Sequence, residues 1–147
     1  MAYVQDSIRG LSVVIIERDG KVLISTGYDK VKDKRFYRFL GGGIDFNETS
    51  LHAIEREIKE ELDLELKNYQ LLNISENIFT FNGEPGHEIC FIYKADFKDE
   101  SNYKRDDFVV LDSKEDGEVI WLKLNLDNIK MITPPGAEKY LREMIRE

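Results

Sequence analysis

Between Gly41 and Leu64 the chain reads GGGIDFNETSLHAIEREIKEELDL, a glycine-rich loop opening into a run with helical periodicity. Thr49 and Ser50 are both suitable N-caps, because a hydroxyl there can accept a hydrogen bond from an otherwise orphaned backbone N–H. From that point Leu51, Ile54, Ile58 and Leu62 recur at three- and four-residue spacing. They lay one apolar stripe along an amphipathic helix, which obliges the helix to pack on a core. The glycines sit just upstream, where backbone can approach another group with no Cβ in the way.

The opposite face is acidic. Glu57, Glu60 and Glu61 stand at i, i+3 and i+4, so their carboxylates gather within a turn, and Glu48 lies just ahead of the helix. Like charges so placed repel by a few tenths of a kcal/mol per pair in an isolated helix. A solvated acidic face accounts for such a set on charge alone. A cation among the acids accounts for more. Arg56 precedes Glu57 and lies four residues before Glu60, close enough to orient a carboxylate, and hard divalent ions such as Mg²⁺ take oxygen ligands of this kind.

Gly42, Glu48, Arg56, Glu57, Ile58, Glu60, Glu61 and Leu64 fall at the spacing of the box of the Nudix hydrolases, which this stretch resembles. Asp63 stands where the family carries glycine, so the resemblance implies a strained helix end there. Asn47 occupies a position that many members give to glycine, and Asn also suits a left-handed turn. The resemblance implies an α/β fold, an α/β/α sandwich with a mixed β-sheet, the box forming a loop, helix, loop unit at the edge of a cleft. It also implies Mg²⁺-dependent hydrolysis of a pyrophosphate bond in a nucleoside diphosphate linked to another moiety, with Mn²⁺ able to substitute. In that reading Glu57, Glu60 and Glu61 hold the metal, a carbonyl near Gly41 adds a ligand, Glu48 supports the cluster, Arg56 orients a carboxylate, and Gly42 and Gly43 line the substrate. The proton acceptor is a box glutamate or an acid of the loop before the last strand, where Glu115 and Glu118 lie. The rival reading is a non-catalytic nucleotide-binding sensor, but such domains usually lose box glutamates and this chain keeps all four. An acidic scaffold with no ligand leaves the clustered acids unexplained.

The rest of the chain is read as support. With 147 residues, 41% hydrophobic and 34% charged, it suits one domain over 1–147 with its own core. A formal charge of −8 disfavours nucleic acid and anionic membrane as partners. A small nucleotide-type molecule remains the expected partner, and the chain itself is expected to be a monomer or homodimer. Cys90 is the single cysteine, so no disulfide framework exists within the chain, and with no signal-peptide pattern at the N-terminus this points to the cytoplasm. His52 and His87 are too far apart in sequence to suggest zinc.

Leu11 to Glu17 and Val22 to Ser25 are β-branched runs around an Asp19-Gly20 hairpin turn. Residues 29–38 form a basic loop or short strand in which Arg35 or Arg38 reaches phosphates while Phe36, Tyr37 or Phe39 flanks a base. Tyr69 to Phe81 is strand, with Phe79 and Phe81 read as core, and 82–86 a turn cluster. His87 to Phe97 returns as a strand whose Ile89, Phe91, Tyr93 and Ala95 face the core. Its alternate set, Glu88, Cys90, Ile92 and Lys94, is a mixture suited to a cleft. Residues 98–118 make a long polar loop or lid. Val119 to Leu124 is a last strand, followed by short helices at Leu126 to Lys130 and Ala137 to Ile145.

Overall fold

The computed structural model describes residues 6–111 and 117–145. Strands β1 (Arg9–Ile15), β2 (Glu17–Arg18), β3 (Lys21–Asp29) and β4 (Lys34–Gly43) precede helix α1 (Ser50–Leu62). Then come β5 (Leu66–Phe81), β6 (Glu84–Phe97), a 3-10 turn at Glu100–Lys104, β7 (Val119–Lys123), α2 (Leu126–Ile129), β8 (Ile132–Thr133) and α3 (Glu138–Ile145). The strands form one mixed sheet in the order β2-β3-β4-β1-β6-β5, with β7 beside β3 and β8 beside β4. β1–β6 and β4–β8 are parallel and the other pairs antiparallel.

Both faces of the sheet are covered, which is why its central strands are apolar on both sides. On one face Ile54, Ile58 and Leu62 of α1 pack with Val14, Leu40, Tyr93, Ala95 and Phe97. On the other, Ile129 of α2 and Leu141 and Met144 of α3 pack with Val13, Ile15, Phe39 and Ile92. The layers are helix, sheet, helix, the expected sandwich. Two positions depart from the helical stripe. Leu51 is exposed and Ala53 is buried in its place.

Turn chemistry sets the hairpins. Asp19-Gly20 and Asn82-Gly83 carry φ of 49° and 75°, and 51° and 83°, the paired left-handed values that match strand twist. Among the described residues every non-glycine with positive φ is Asp or Asn, the side chains that tolerate that region best. The expected turn cluster at 82–86 contracts to Asn82-Gly83, since Glu84, Pro85 and Gly86 already pair with β5.

Three further expectations change. Residues 34–43 form a continuous strand, so Gly41, Gly42 and Gly43 end β4 paired with β1 instead of making a loop. A Cβ on Gly41, whose φ is 150°, would lie 2.1 Å from the Ser12 carbonyl oxygen, so only glycine lets the two strands close there. Cys90 and Ile92 do not line a cleft: both are fully buried, and burial pushes the Cys90 thiol up to about 12. Residues 100–111 are no open lid. Phe108 is buried and bridges Val119, Arg18 lies over Trp121 while donating to the Tyr103 and Arg105 carbonyls, and Leu111 N–H donates to the Glu61 carbonyl at 2.7 Å.

Candidate active site

Three anchors fix the start of α1. Thr49 caps it, its hydroxyl accepting from His52 N–H at 3.1 Å. Ser12 of β1 donates to the Ser50 carbonyl at 2.8 Å, and the Ser50 and Tyr93 hydroxyls are 2.6 Å apart. At the other end Asp63 adopts the left-handed conformation itself, φ 52° and ψ 42°, with its N–H on the Lys59 carbonyl. Its carboxylate meets Lys59 Nζ at 2.8 Å. Asp63 thus adopts the left-handed conformation that the family's glycine takes at lower cost, and Lys59 offsets its charge.

Arg56 organises the acids. Its Nε and Nη2 grip both oxygens of Glu48 at 2.7 and 2.8 Å. Its Nη1 donates to Glu57 at 3.0 Å and to Glu60 at 3.3 Å, and Nη2 also reaches the Gly43 carbonyl at 2.9 Å. Asp45 N–H adds a bond to Glu48 at 3.0 Å, in a turn made possible by left-handed Asn47, φ 68°. The Arg56 hydrogen bond first, then the Asp45 amide, holds the Glu48 carboxyl at about 2. Its bond to Glu48 in turn raises the Arg56 guanidinium above its ordinary value.

Glu57 is buried, and Gly42 is the reason it fits. A Cβ on Gly42 would stand 2.4 Å from Glu57 Cδ and 2.6 Å from both its oxygens. The carboxylate thus occupies a cradle that any side chain at Gly42 would fill.

The expected donors, Glu57, Glu60, Glu61 and the Gly41 carbonyl, are all oxygen, which suits a hard divalent ion chemically. The expected cluster is not closed, however: among the described residues no three His, Cys, Asp or Glu side chains converge as a metal site requires. The cation among these acids is the Arg56 guanidinium, which draws Glu48 and Glu60 to itself. Glu48 is thereby occupied by Arg56, while Glu60 is half exposed on the surface.

The remaining expected residues divide. Phe39 does not flank a base, since it is 2% exposed and packed in the core of the α3 side. Strand alternation turns Phe39 into the α3-side core, while Leu40 beside it enters the core under α1. Arg38 lies over the rings of Phe36 and Phe81, which meet edge to face at 5.8 Å. Arg35 is exposed farther along the hairpin, opposite Tyr28. Glu88 sits opposite Arg9 and Asn77, with Arg9 Nη1 at 3.8 Å, and burial raises its carboxyl against the pull of Arg9, Arg38 and Asn77. Glu118 is exposed at the head of β7, its backbone N–H and carbonyl both bonded to Thr26. Glu115 lies outside the described residues. Arg9 and Asn77 were not read as neighbours of Glu88: an Arg opening one strand and an Asn within another carry no motif, and only the strand register brings them to it. Phe81, read as core, lies edge to face against Phe36 beside Arg38.

Fold and site together define an α/β sandwich domain whose acid-bearing helix is entered through a glycine strand end and locked by one arginine. The NUDIX domain matches over residues 6–143, and the chain belongs to that family, one of hydrolases that act on pyrophosphate bonds and generally use divalent metal ions. An RNA pyrophosphohydrolase of Pelagibacter ubique (strain HTCC1062) is 27% identical over 89 residues, 60% of this chain and 53% of that protein. The match thus spans about half of the relative's length. A MutT NUDIX hydrolase from Burkholderia pseudomallei superposes with a TM-score of 0.63 at 24% identity, covering 95% of this chain and 99% of the other. A NUDIX hydrolase from Nitrosomonas europaea gives 0.60 at 16% identity, covering 95% and 89%. At these identities the solved structures attest the fold. Among the described residues no helix is long and apolar enough to cross a membrane.

Proposed function

We propose that this chain is a single domain that hydrolyses a pyrophosphate bond in a nucleoside diphosphate linked to another moiety, with Mg²⁺, or Mn²⁺ in its place, held by Glu57, Glu60 and Glu61. The observation that carries the reading is the Gly42 cradle: a buried carboxylate is seated against backbone with Arg56 fixing its orientation. Burying a carboxylate without function is costly, and here the helix spends its arginine on keeping three of them in place. When bound, the ion neutralises phosphate charge and makes a water nucleophilic at neutral pH.

The chain's own groups have separable tasks. Glu57 in its cradle would hold the ion together with Glu60, Glu61 and the Gly41 carbonyl, an all-oxygen set. Glu48 acts through Arg56, which it holds by two bonds, so it is a positioning residue. The proton of the attacking water goes to a box glutamate or to a loop acid, Glu115 or Glu118. Arg38, on its Phe36 and Phe81 rings, and Glu88 beside Arg9 lie on β4 and β6 and supply the aromatic and charged contacts for the substrate's nucleoside end. The low charge-density requirement of a small molecule suits a chain of −8 in the cytoplasm better than a long nucleic acid does.

The test is a substrate panel in ¹⁸O water with Mg²⁺: nucleoside triphosphates, oxidised nucleotides, dinucleoside polyphosphates, ADP-ribose, nucleotide sugars, and, because of the Pelagibacter relative's name, an RNA carrying a pyrophosphate bond. At least one is expected to yield a product labelled at the attacked phosphorus. No cleavage, with a metal-dependent rise in Tm for one member, would assign the domain to nucleotide binding without hydrolysis.

A further inference from the structure

One flank of helix α1 takes no part in the proposed hydrolysis. A helix turns about 100° per residue, so Glu55 stands about 160° around from Glu57. Between that flank and the start of β5 lies a cavity of about 440 Å³, walled by Glu55, Lys59, Leu64, Leu66 and Tyr69, with Lys98 after β6 also lining it. Small-molecule sites have volumes of this order. The charges in the wall are matched, with one exception. Arg56 reaches the cavity, but its five N–H groups are all given, two to Glu48 and one each to Glu57, Glu60 and the Gly43 carbonyl. Lys59 Nζ meets Asp63 at 2.8 Å, Lys98 Nζ meets Glu65 at 3.4 Å, and His52 Nδ1 lies 3.5 Å from Glu48. Among the described residues Glu55 has no such partner. Its charge bears instead on Tyr69, whose hydroxyl is pushed up to about 12 by burial first and by Glu55 second. The Tyr69 ring stands edge to face with Tyr93 at 6.3 Å.

We propose that this cavity binds a small organic cation, an ammonium group carried on a carbon chain. The ammonium meets the Glu55 carboxylate and the Tyr69 ring, since an aromatic face attracts cations. The carbon chain lies on Leu64 and Leu66. A bare metal ion suits the cavity poorly, because one free carboxylate is too few oxygen ligands and the leucines supply none. An anion suits it poorly as well: the lysines already face acids, and Glu55 repels it. The net charge of −8 draws cations to the whole surface, so what belongs to the cavity is the part of the affinity that depends on Glu55. Neither the metal nor the nucleotide enters this binding, so it stands or falls separately from hydrolysis.

The test is a titration of the full chain, free of metal and nucleotide, with butylammonium and with spermidine, followed in ¹H–¹⁵N correlation spectra. Salt at about 150 mM screens the diffuse attraction of an acidic surface. Saturating shifts are expected at residues 52–69 and at Lys98, half-complete at about 10 mM amine or less. Glu55→Gln is expected to raise the dissociation constant about tenfold or more for both amines, because it removes the one charge-assisted contact. Glu55 is exposed and has no ion-pair partner among the described residues, so that variant folds as wild type does. Glu76→Gln removes an equal charge from an exposed position of β5 outside the cavity, and is expected to leave the constant within about twofold. The absence of a saturable shift up to about 50 mM amine overturns the proposal, as does equal weakening by the two substitutions. Inorganic phosphate shifting the cavity's residues where the amines do not would overturn it too.

Discussion

Gly42→Ala is the sharpest perturbation the structure offers, because nothing but space distinguishes the two residues there. Gly42 has no positive φ, so alanine brings no backbone strain; it brings a Cβ 2.4 Å from Glu57 Cδ. Ordinary contact requires the carboxylate to retreat by about 1 Å, and a misplacement of that size in a catalytic group costs about 100-fold in rate, or about 2.7 kcal/mol of transition-state stabilisation. The retreat also strips the 3.0 Å bond to Arg56. Overpacking costs about 1–3 kcal/mol of stability, which in a domain of this size lowers Tm by roughly 3–10 °C. The assay is kcat/KM on the substrate found in the panel, with a parallel melt. Wild-type kcat/KM in a variant whose Tm has dropped would refute the reasoning, since the methyl would then have displaced something other than a working Glu57.

The other expectations are as follows. Glu48 has a folded pKa near 2 against an ordinary 4.5; its stabilisation is complete above the higher value and is lost as pH falls through the lower, so Tm measured from pH 5 down to 2 should decline more in wild type than in Glu48→Gln. Millimolar Mg²⁺ or Mn²⁺ should raise Tm, and Glu60→Gln with Glu61→Gln should abolish the rise; an unchanged melt in wild type would speak against a metal site. Glu118→Gln or Glu115→Gln should lower turnover about 100-fold with metal binding intact if a loop acid is the base, whereas two active variants return that role to a box glutamate. Asp29, 4% exposed, accepts from the Val31, Lys32 and Asn82 amides and so clasps the β3–β4 and β5–β6 hairpin tips. Asp29→Ala should speed hydrogen exchange at those three amides, and unaltered protection would show the tips are held otherwise.

What the sequence disclosed follows from how local each signal is. The cap at Thr49, the α1 stripe at Ile54, Ile58 and Leu62, the Asp19-Gly20 turn and the box spacing depend on residues within a few positions of one another, and the structure has all of them. Residues whose role depends on a distant neighbour were read less well. Gly41 looked like loop, because only the approach of Ser12 on another strand makes it the end of β4. Phe39 looked like a base platform beside Phe36 and Tyr37, and which of three adjacent aromatics turns inward is set by the pairing of β4 with β3 and β8. Residues 100–111 looked like a lid since they are polar, but the contacts that pin them come from Arg18 and Trp121. The acids were read as a metal cluster, whereas in the structure Arg56 stands among them. That arginine was legible as a partner of Glu57 or Glu60; its grip on Glu48, eight residues away across a turn, was not.

The central claim is that Glu57, Glu60 and Glu61 form a working hydrolytic site. It is tested most directly by Mg²⁺-dependent turnover of the identified substrate by wild type and by Glu60→Gln, each shown by its melt to be folded. Loss of one carboxylate from the set should remove charge neutralisation and water activation together and reduce kcat by at least about 100-fold. Turnover within a few-fold of wild type in Glu60→Gln would contradict the account.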